Sequence, residues 1–134
     1  MKKQTIIIFF ASSFALYSFM QNDQSKEWIV PESANNVKNP TDKTDKETMA
    51  IGKSQYAMYC QSCHGKEGYG DGPKAKEMKT KVGDFSSEEF QKQTDGALFY
   101  KITKGREDMP AFDKKIPDAE DRWLIVNYIR KLNQ

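Results

Sequence analysis

Cys60-Gln61-Ser62-Cys63-His64 decides the reading of this chain. Two thiols separated by two residues can each add across one of the two vinyl groups of a porphyrin. The resulting thioethers fix the ring to one short turn of chain, and Cys-x-x-Cys-His is the attachment sequence of a c-type haem. The histidine directly after the second cysteine is then held beneath the ring, where an imidazole nitrogen can ligate iron as the proximal ligand. His64 is the only histidine in the sequence, so no second imidazole competes for that position.

A Cys-x-x-Cys pair has other uses: a thioredoxin-like dithiol, half of a zinc site, or a disulfide in an oxidising compartment. A four-ligand zinc site needs more donors than Cys60, Cys63 and His64 supply. A thioredoxin-like fold needs strands around the pair, whereas the flanks lack Val/Ile alternation and read as helix before the motif and Gly-rich loop after it. A structural disulfide or free dithiol stays open beside haem attachment.

The 134 residues make one domain once a leader and a linker are set aside. With 37% hydrophobic and 30% charged residues, the composition describes a soluble globule with a modest core. A buried haem would add apolar area that the side chains alone hardly provide.

Residues 1–20 form a separate unit, expected to be a signal peptide or an N-terminal membrane anchor. Lys2 and Lys3 precede an uncharged run from Thr5 to Met20 that includes Ile6, Ile7, Ile8, Phe9, Phe10, Phe14 and Leu16. At about 1.5 Å per residue the run would span roughly 24 Å, short of a hydrocarbon core of about 30 Å. Cleavage is favoured, although Ser13-x-Ala15 lies inside the run and the end carries Tyr17, Phe19 and Met20, so anchoring through residues 5–20 stays open. Both cysteines are committed to the motif, and export places the site outside the cytoplasmic membrane, in a periplasm or on the membrane's outer face.

Residues 21–43 read as a polar linker, with Pro31, Asn35, Asn36, Asn39 and Pro40 and no sustained period. Trp28-Ile29-Val30-Pro31 interrupts it as an apolar patch, expected as a short arm packed on its own domain rather than a partner site.

The domain, residues 44–134, is expected to be all-α. Thr44-Asp45-Lys46-Glu47 has the form of a capping box that opens a helix running to the haem motif. Met49, Gly52, Tyr56 and Tyr59 share one face of it, and Gly52 costs helix stability that a close neighbour must repay. A last helix starts at Pro117-Asp118, carries Ile125, Tyr128, Ile129 and Leu132 on one face, and ends with Arg130 and Lys131. Between them lie a glycine-rich loop (Gly65, Gly68, Gly70, Gly72), a turn capped through Ser86 and Glu89, and a helix from Asp95 to Gly105. Phe85, Phe90, Leu98 and Ile102 read as pocket or core residues. The glycine loop lacks the Lys-Ser/Thr signature and preceding strand of a phosphate cradle. Met109, in Gly105-Arg106-Glu107-Asp108-Met109-Pro110, stands in a loop with no helical face to complete; the alternatives are a core gap-filler at Met109 and a competing role for Met78.

Taken together, the helix with Gly52 and Tyr56, the Cys60–Gly65 motif, Gly70-Asp71-Gly72-Pro73, Met109-Pro110 and the helix with Ile125 and Tyr128 resemble a class I cytochrome c. The resemblance spans roughly Asp45 to Leu132 and implies the cytochrome c fold, a few short helices and loops wrapped around one covalently bound haem. It implies that the first and last helices cross near Gly52 with Tyr128 over the glycine, and that a carbonyl at or near Pro73 orients His64. It makes Met109 the distal ligand, so that Cys60, Cys63, His64 and Met109 hold the haem and His64 and Met109 hold its iron.

The function so implied is one-electron transfer between redox proteins of a respiratory chain, donor and acceptor being exported or membrane-associated, by a monomer without catalytic residues or substrate turnover. Two alternatives remain: an electron-transfer subunit of a larger membrane oxidase or reductase, and a haem protein whose open sixth site binds or reduces a small ligand. The sequence has 21 basic and 19 acidic residues, and the excess lies in Lys2 and Lys3, which gives no footprint for nucleic acid. Lys74, Lys76, Lys79 and Lys81 cluster after the glycine loop, as an ordinary solvated face or, by resemblance, a surface that steers acidic partners.

Overall fold

The computed structural model describes residues 27–132, so the apolar run of residues 5–20 lies outside the described residues. The described chain is helical: α1 (Glu32–Asn35), α2 (Lys46–Tyr59), α3 (Gln61–His64), a 3-10 turn (Ala75–Glu77), α4 (Glu88–Gln91), α5 (Asp95–Lys104) and α6 (Ala119–Lys131). Extended pairing among the described residues is confined to one isolated bridge, Arg106 to Met109.

Helix α2 starts one residue later than the Thr44 capping box predicts. Asp42 Oδ1 already accepts from both the N–H and the hydroxyl of Thr44, at 2.7 Å each. Asp45 therefore caps the helix, accepting from the Thr48 N–H at 2.8 Å. The same shift occurs at α4. Ser86 is engaged by Asp84, and Ser87 accepts from the Phe90 N–H. Thr94 caps α5, Gly105 ends it, and Asp118 caps α6.

Helices α2 and α6 cross at Gly52. A Cβ there would collide with the carbonyl group of Leu124, so only glycine lets the two backbones approach this closely. Tyr128 is not the residue nearest the glycine; it lies one helical turn along, against Tyr56, with ring centroids 5.2 Å apart. The backbone-to-backbone contact fills the space beside Gly52 and displaces the aromatic pair. Below the crossing, Ile125 and Val126 are fully buried and form one core with Tyr56, Phe85, Leu98, Ile102, Phe112, Ile116 and Ile129. Arg122 is also buried, its guanidinium donating to the carbonyls of Ile116, Pro117 and Asp118 and to the Thr103 hydroxyl.

The described part of the stretch read as a linker carries α1 and is tied to the helices. Asn39 donates to the side chain of the buried Asn127 at 2.7 Å, and Asn127 donates to the Thr41 hydroxyl at 2.9 Å. Lys43 pairs with Asp95 at 2.5 Å, and Asp95 also takes Arg130 at 2.9 Å. Gly96 of α5 lies so close to the carbonyls of Ala34 and Val37 that a side chain would not fit between them.

Candidate haem site

The motif folds as a continuation of α2. Cys60 ends α2 and opens α3, and its carbonyl accepts from the N–H of Cys63 at 3.1 Å and of His64 at 3.0 Å. Spacings of three and four on one helical turn put Cys60, Cys63 and His64 on the same side. All three line a cavity of about 330 Å³. Both thiols are free, and burial pushes the Cys60 thiol up to about 12, with a smaller contribution from Cys63.

The glycine loop secures this turn from outside. Gly70, Gly72 and Lys74 donate their N–H groups to the carbonyls of His64, Cys63 and Ser62, at 2.9, 3.1 and 2.9 Å. Gly72 passes so near the Ser62 and Cys63 carbonyls that a Cβ would meet them. The Tyr56 hydroxyl reaches the Gly65 carbonyl at 2.7 Å.

The His64 ring is stacked on Phe85, with centroids 4.5 Å apart. Burial pushes its pKa down to about 4, against an opposing effect of the Gly83 backbone. The imidazole is therefore neutral at pH 7, the form that offers a lone pair to a metal. Among the described residues its Nδ1 is buried without a hydrogen-bond partner. The carbonyl expected near Pro73 is thus not a partner of Nδ1, and the backbone that bears on the ring is that of Gly83, brought over it by the segment leading to Phe85.

Met109 lines the same cavity from a separate loop. Arg106 and Met109 exchange both backbone hydrogen bonds, at 2.8 and 2.9 Å, across a turn in which Glu107 takes a φ of 52°. The Asp108 carboxylate accepts from the N–H groups of Lys79 and Thr80, at 2.7 and 3.1 Å, and from the Thr80 hydroxyl. That contact ties the Met109 turn to the segment after Met78, and Met78 lines the cavity too. The structure thus brings both candidate sulfurs to one cavity; Met109 packs on the apolar core, and Met78 ends the 3-10 turn.

The remaining wall is apolar and aromatic: Tyr59, Phe85, Phe90, Leu98, Ile102, Phe112 and Ile129. Phe112 packs edge-on to Tyr59 and is itself held by a hydrogen bond to Ile102. Sequence reading missed the polar edge, where Trp28, Gln93, Lys101 and Arg106 line the cavity. Its one sequence signal is the Trp28–Pro31 patch. An apolar cavity with two free thiols, a neutral imidazole bearing an orphaned buried nitrogen, and thioethers close by fits a covalently attached haem in every donor it would need.

The family model for cytochrome c oxidase, cbb3-type, subunit III matches residues 47–129. No curated protein matches the sequence. Among solved structures, a chain of the Kuenenia stuttgartiensis reducing HAO-like protein complex Kustc0457/Kustc0458 is similar at 28% identity and a TM-score of 0.60. The alignment covers 73% of this chain and 50% of that one, so the chain spans half the length of that relative. The KustC0563 c-type cytochrome is similar at 23% identity and a TM-score of 0.52, over 62% of this chain and 98% of that one, a likeness that speaks for the fold.

Proposed function

This chain belongs to the family of cbb3-type cytochrome c oxidase subunit III, with the all-α cytochrome c fold, and on that footing we propose that it is a one-electron carrier with His64 and Met109 as axial ligands. The haem iron supplies the redox couple; the chain supplies the rest. Cys60 and Cys63 would give the two thioether links, and the adjacent His64 would offer a neutral imidazole to the iron. Met109, pinned through the Arg106 exchange and the Asp108 contacts, would supply its sulfur as the second iron ligand. A thioether opposite an imidazole favours the reduced state and closes the iron to small ligands. The apolar part of the wall would limit the water that must reorganise when the charge changes.

One observation carries this reading: Cys60, Cys63, His64 and Met109, drawn from two segments far apart in sequence, line one cavity. The reading includes one haem per chain, an exported monomer, redox-protein donors and acceptors and no substrate turnover. Membership of an oxidase-subunit family, and similarity to a member of a redox complex, favour a second form of the same function, electron delivery within a larger assembly. The test is to mature the full chain with haem, measure covalent haem per chain, titrate the couple, and look for co-purifying subunits. A single thioether-bound haem with a reversible couple supports the carrier; a haem-free dithiol or disulfide overturns it.

A further inference from the structure

An imidazole that ligates a metal nearly always has its plane fixed by a hydrogen bond from its second nitrogen, because the torsion that turns the ring about its Cβ–Cγ bond is soft. His64 lacks that restraint: among the described residues its Nδ1 is buried without a partner. The ring meets Phe85, stacked on it with centroids 4.5 Å apart and planes 25° from parallel. That separation lies at the close end of the range of about 4.5–7 Å in which aromatic pairs attract.

Phe85 is itself firmly seated. It is 6% exposed, its N–H donates to the Gly68 carbonyl at 2.8 Å, and its carbonyl accepts from the Gln91 side chain at 2.6 Å. A Cβ at Gly68 would meet the Phe85 ring at 2.9 Å, so the glycine makes room for the phenyl group. Phe90 also stacks on Phe85, with centroids 4.5 Å apart. One face of a phenyl ring has room for one stacked partner, so Phe85 lies between Phe90 and His64. Tyr56 meets Phe85 edge-on at 6.4 Å, and its hydroxyl donates to the Gly65 carbonyl, so the cluster grips the backbone directly after His64 as well as its ring. Gly83, two residues before Phe85, brings its backbone to the imidazole too.

We propose that Phe85 is a positioning residue for the iron ligand: its ring sets the plane of the His64 imidazole, the task that a hydrogen bond at Nδ1 performs elsewhere. The inference deepens the carrier reading and rests on His64 binding the iron. It has a redox consequence. A hydrogen bond donated by the second nitrogen makes an imidazole a stronger electron donor, and ferric iron gains more from donation than ferrous iron. An imidazole held by stacking rather than by such a bond leaves the ferric state less stabilised. Removing the phenyl ring frees the imidazole to turn and opens room for water or a carbonyl at Nδ1, which favours the oxidised state.

The experiment compares the haem-loaded full chain as wild type, Phe85→Leu, Phe85→Tyr and Val126→Ala, Val126 being a fully buried core residue that does not line the cavity. Ferric proton NMR reads the imidazole plane through the order and spread of the haem-methyl shifts, and redox titration reads the couple. Phe85→Leu should rearrange the haem-methyl pattern, keep the band of methionine sulfur on ferric iron, and raise the ratio of oxidised to reduced protein several-fold at a fixed potential. Phe85→Tyr, which keeps an aromatic face, should stay close to wild type in both readouts, and Val126→Ala should lose stability with neither changed. Wild-type haem-methyl shifts or an unchanged ratio in Phe85→Leu overturns the proposal and leaves the carrier function standing, because Phe85 would then only fill the core. If Phe85→Leu takes up no haem, the reduced wild-type protein decides. Nuclear Overhauser contacts between the Phe85 and His64 rings support the proposal; their absence, or an Nδ1 proton hydrogen-bonded to a backbone carbonyl, overturns it. Absence of covalent haem from the wild-type chain overturns the carrier function and this proposal with it.

Discussion

Replacing Gly52 with alanine tests the α2–α6 crossing on which the cavity depends. The added Cβ would meet the Leu124 carbonyl oxygen and carbon, with the Leu124 Cβ at 3.4 Å behind them. These are backbone atoms of a buried helix, so they cannot rotate away, and the helices must separate. Overpacking of this kind costs about 1–3 kcal/mol, and rigid obstruction puts Gly52 toward the upper end. Alanine's better helix propensity returns about 1 kcal/mol, leaving a net loss of about 2 kcal/mol. For a domain near 100 residues, each kcal/mol moves Tm by roughly 4–8 °C, so Tm should fall by about 8–16 °C. Thermal unfolding of the haem-loaded protein, followed by far-ultraviolet circular dichroism, reads the change. Lys53→Ala, on the exposed side of the same helix, serves as the control and should stay within about 0.5 kcal/mol of wild type. A Gly52→Ala protein as stable as wild type would refute the close crossing, because propensity alone predicts a gain.

Further expectations follow from the site and its supports. Gly105 has φ 62° and ψ 174° and lies against the Met109–Ala111 backbone, so Gly105→Ala should cost on the order of 1–3 kcal/mol and displace the Met109 turn. Carbon monoxide should then bind the reduced variant faster than wild type, and equal rates would show that Gly105 does not hold Met109. The Tyr56 hydroxyl donates to the Gly65 carbonyl in the core, so Tyr56→Phe should lower stability by about 1–3 kcal/mol in denaturant titration; an unchanged midpoint would rule that bond out as a support. Burial pushes the Asp95 carboxyl up, but hydrogen bonds and charge from Lys43 and Arg130 outweigh it, and its pKa lies below the ordinary 3.8. A depressed carboxylate contributes stability above its unfolded pKa and loses it as pH falls through the folded value. Wild-type Tm should therefore drop more steeply than that of Asp95→Asn below about pH 4, and parallel curves would contradict the assignment.

The long helices were legible because their signals are local. Gly52 and Tyr56 share a face, Asp118 and the acidic first turn mark the start of α6, and Gly105 marks the end of α5. Caps slipped by one residue at Thr44 and Ser86 because Asp42 and Asp84 capture those hydroxyls two residues away. The three residues of the haem motif were legible as a unit, since their spacing alone puts them on one helical turn. The docking of the arm was far less legible. Its recognition runs through Asn39, Thr41 and Asn127, scattered over the chain with no period to betray them. The polar edge was hidden for a related reason: Lys101 and Arg106 belong to different elements, and only the fold places both beside Trp28. Positive φ at Glu107, which shapes the Met109 turn, has no compositional sign at all.

The central claim is that His64 and Met109 hold the iron from opposite sides. The ferric visible and near-infrared spectrum of the matured protein, recorded for wild type, Met109→Ala and Met78→Ala, tests it most directly. The account predicts a low-spin spectrum with the band of methionine sulfur on ferric iron, lost in Met109→Ala and kept in Met78→Ala. A high-spin wild-type spectrum would mean an open sixth position, and a band that survives Met109→Ala but vanishes in Met78→Ala would move the ligand to Met78; either result contradicts the account.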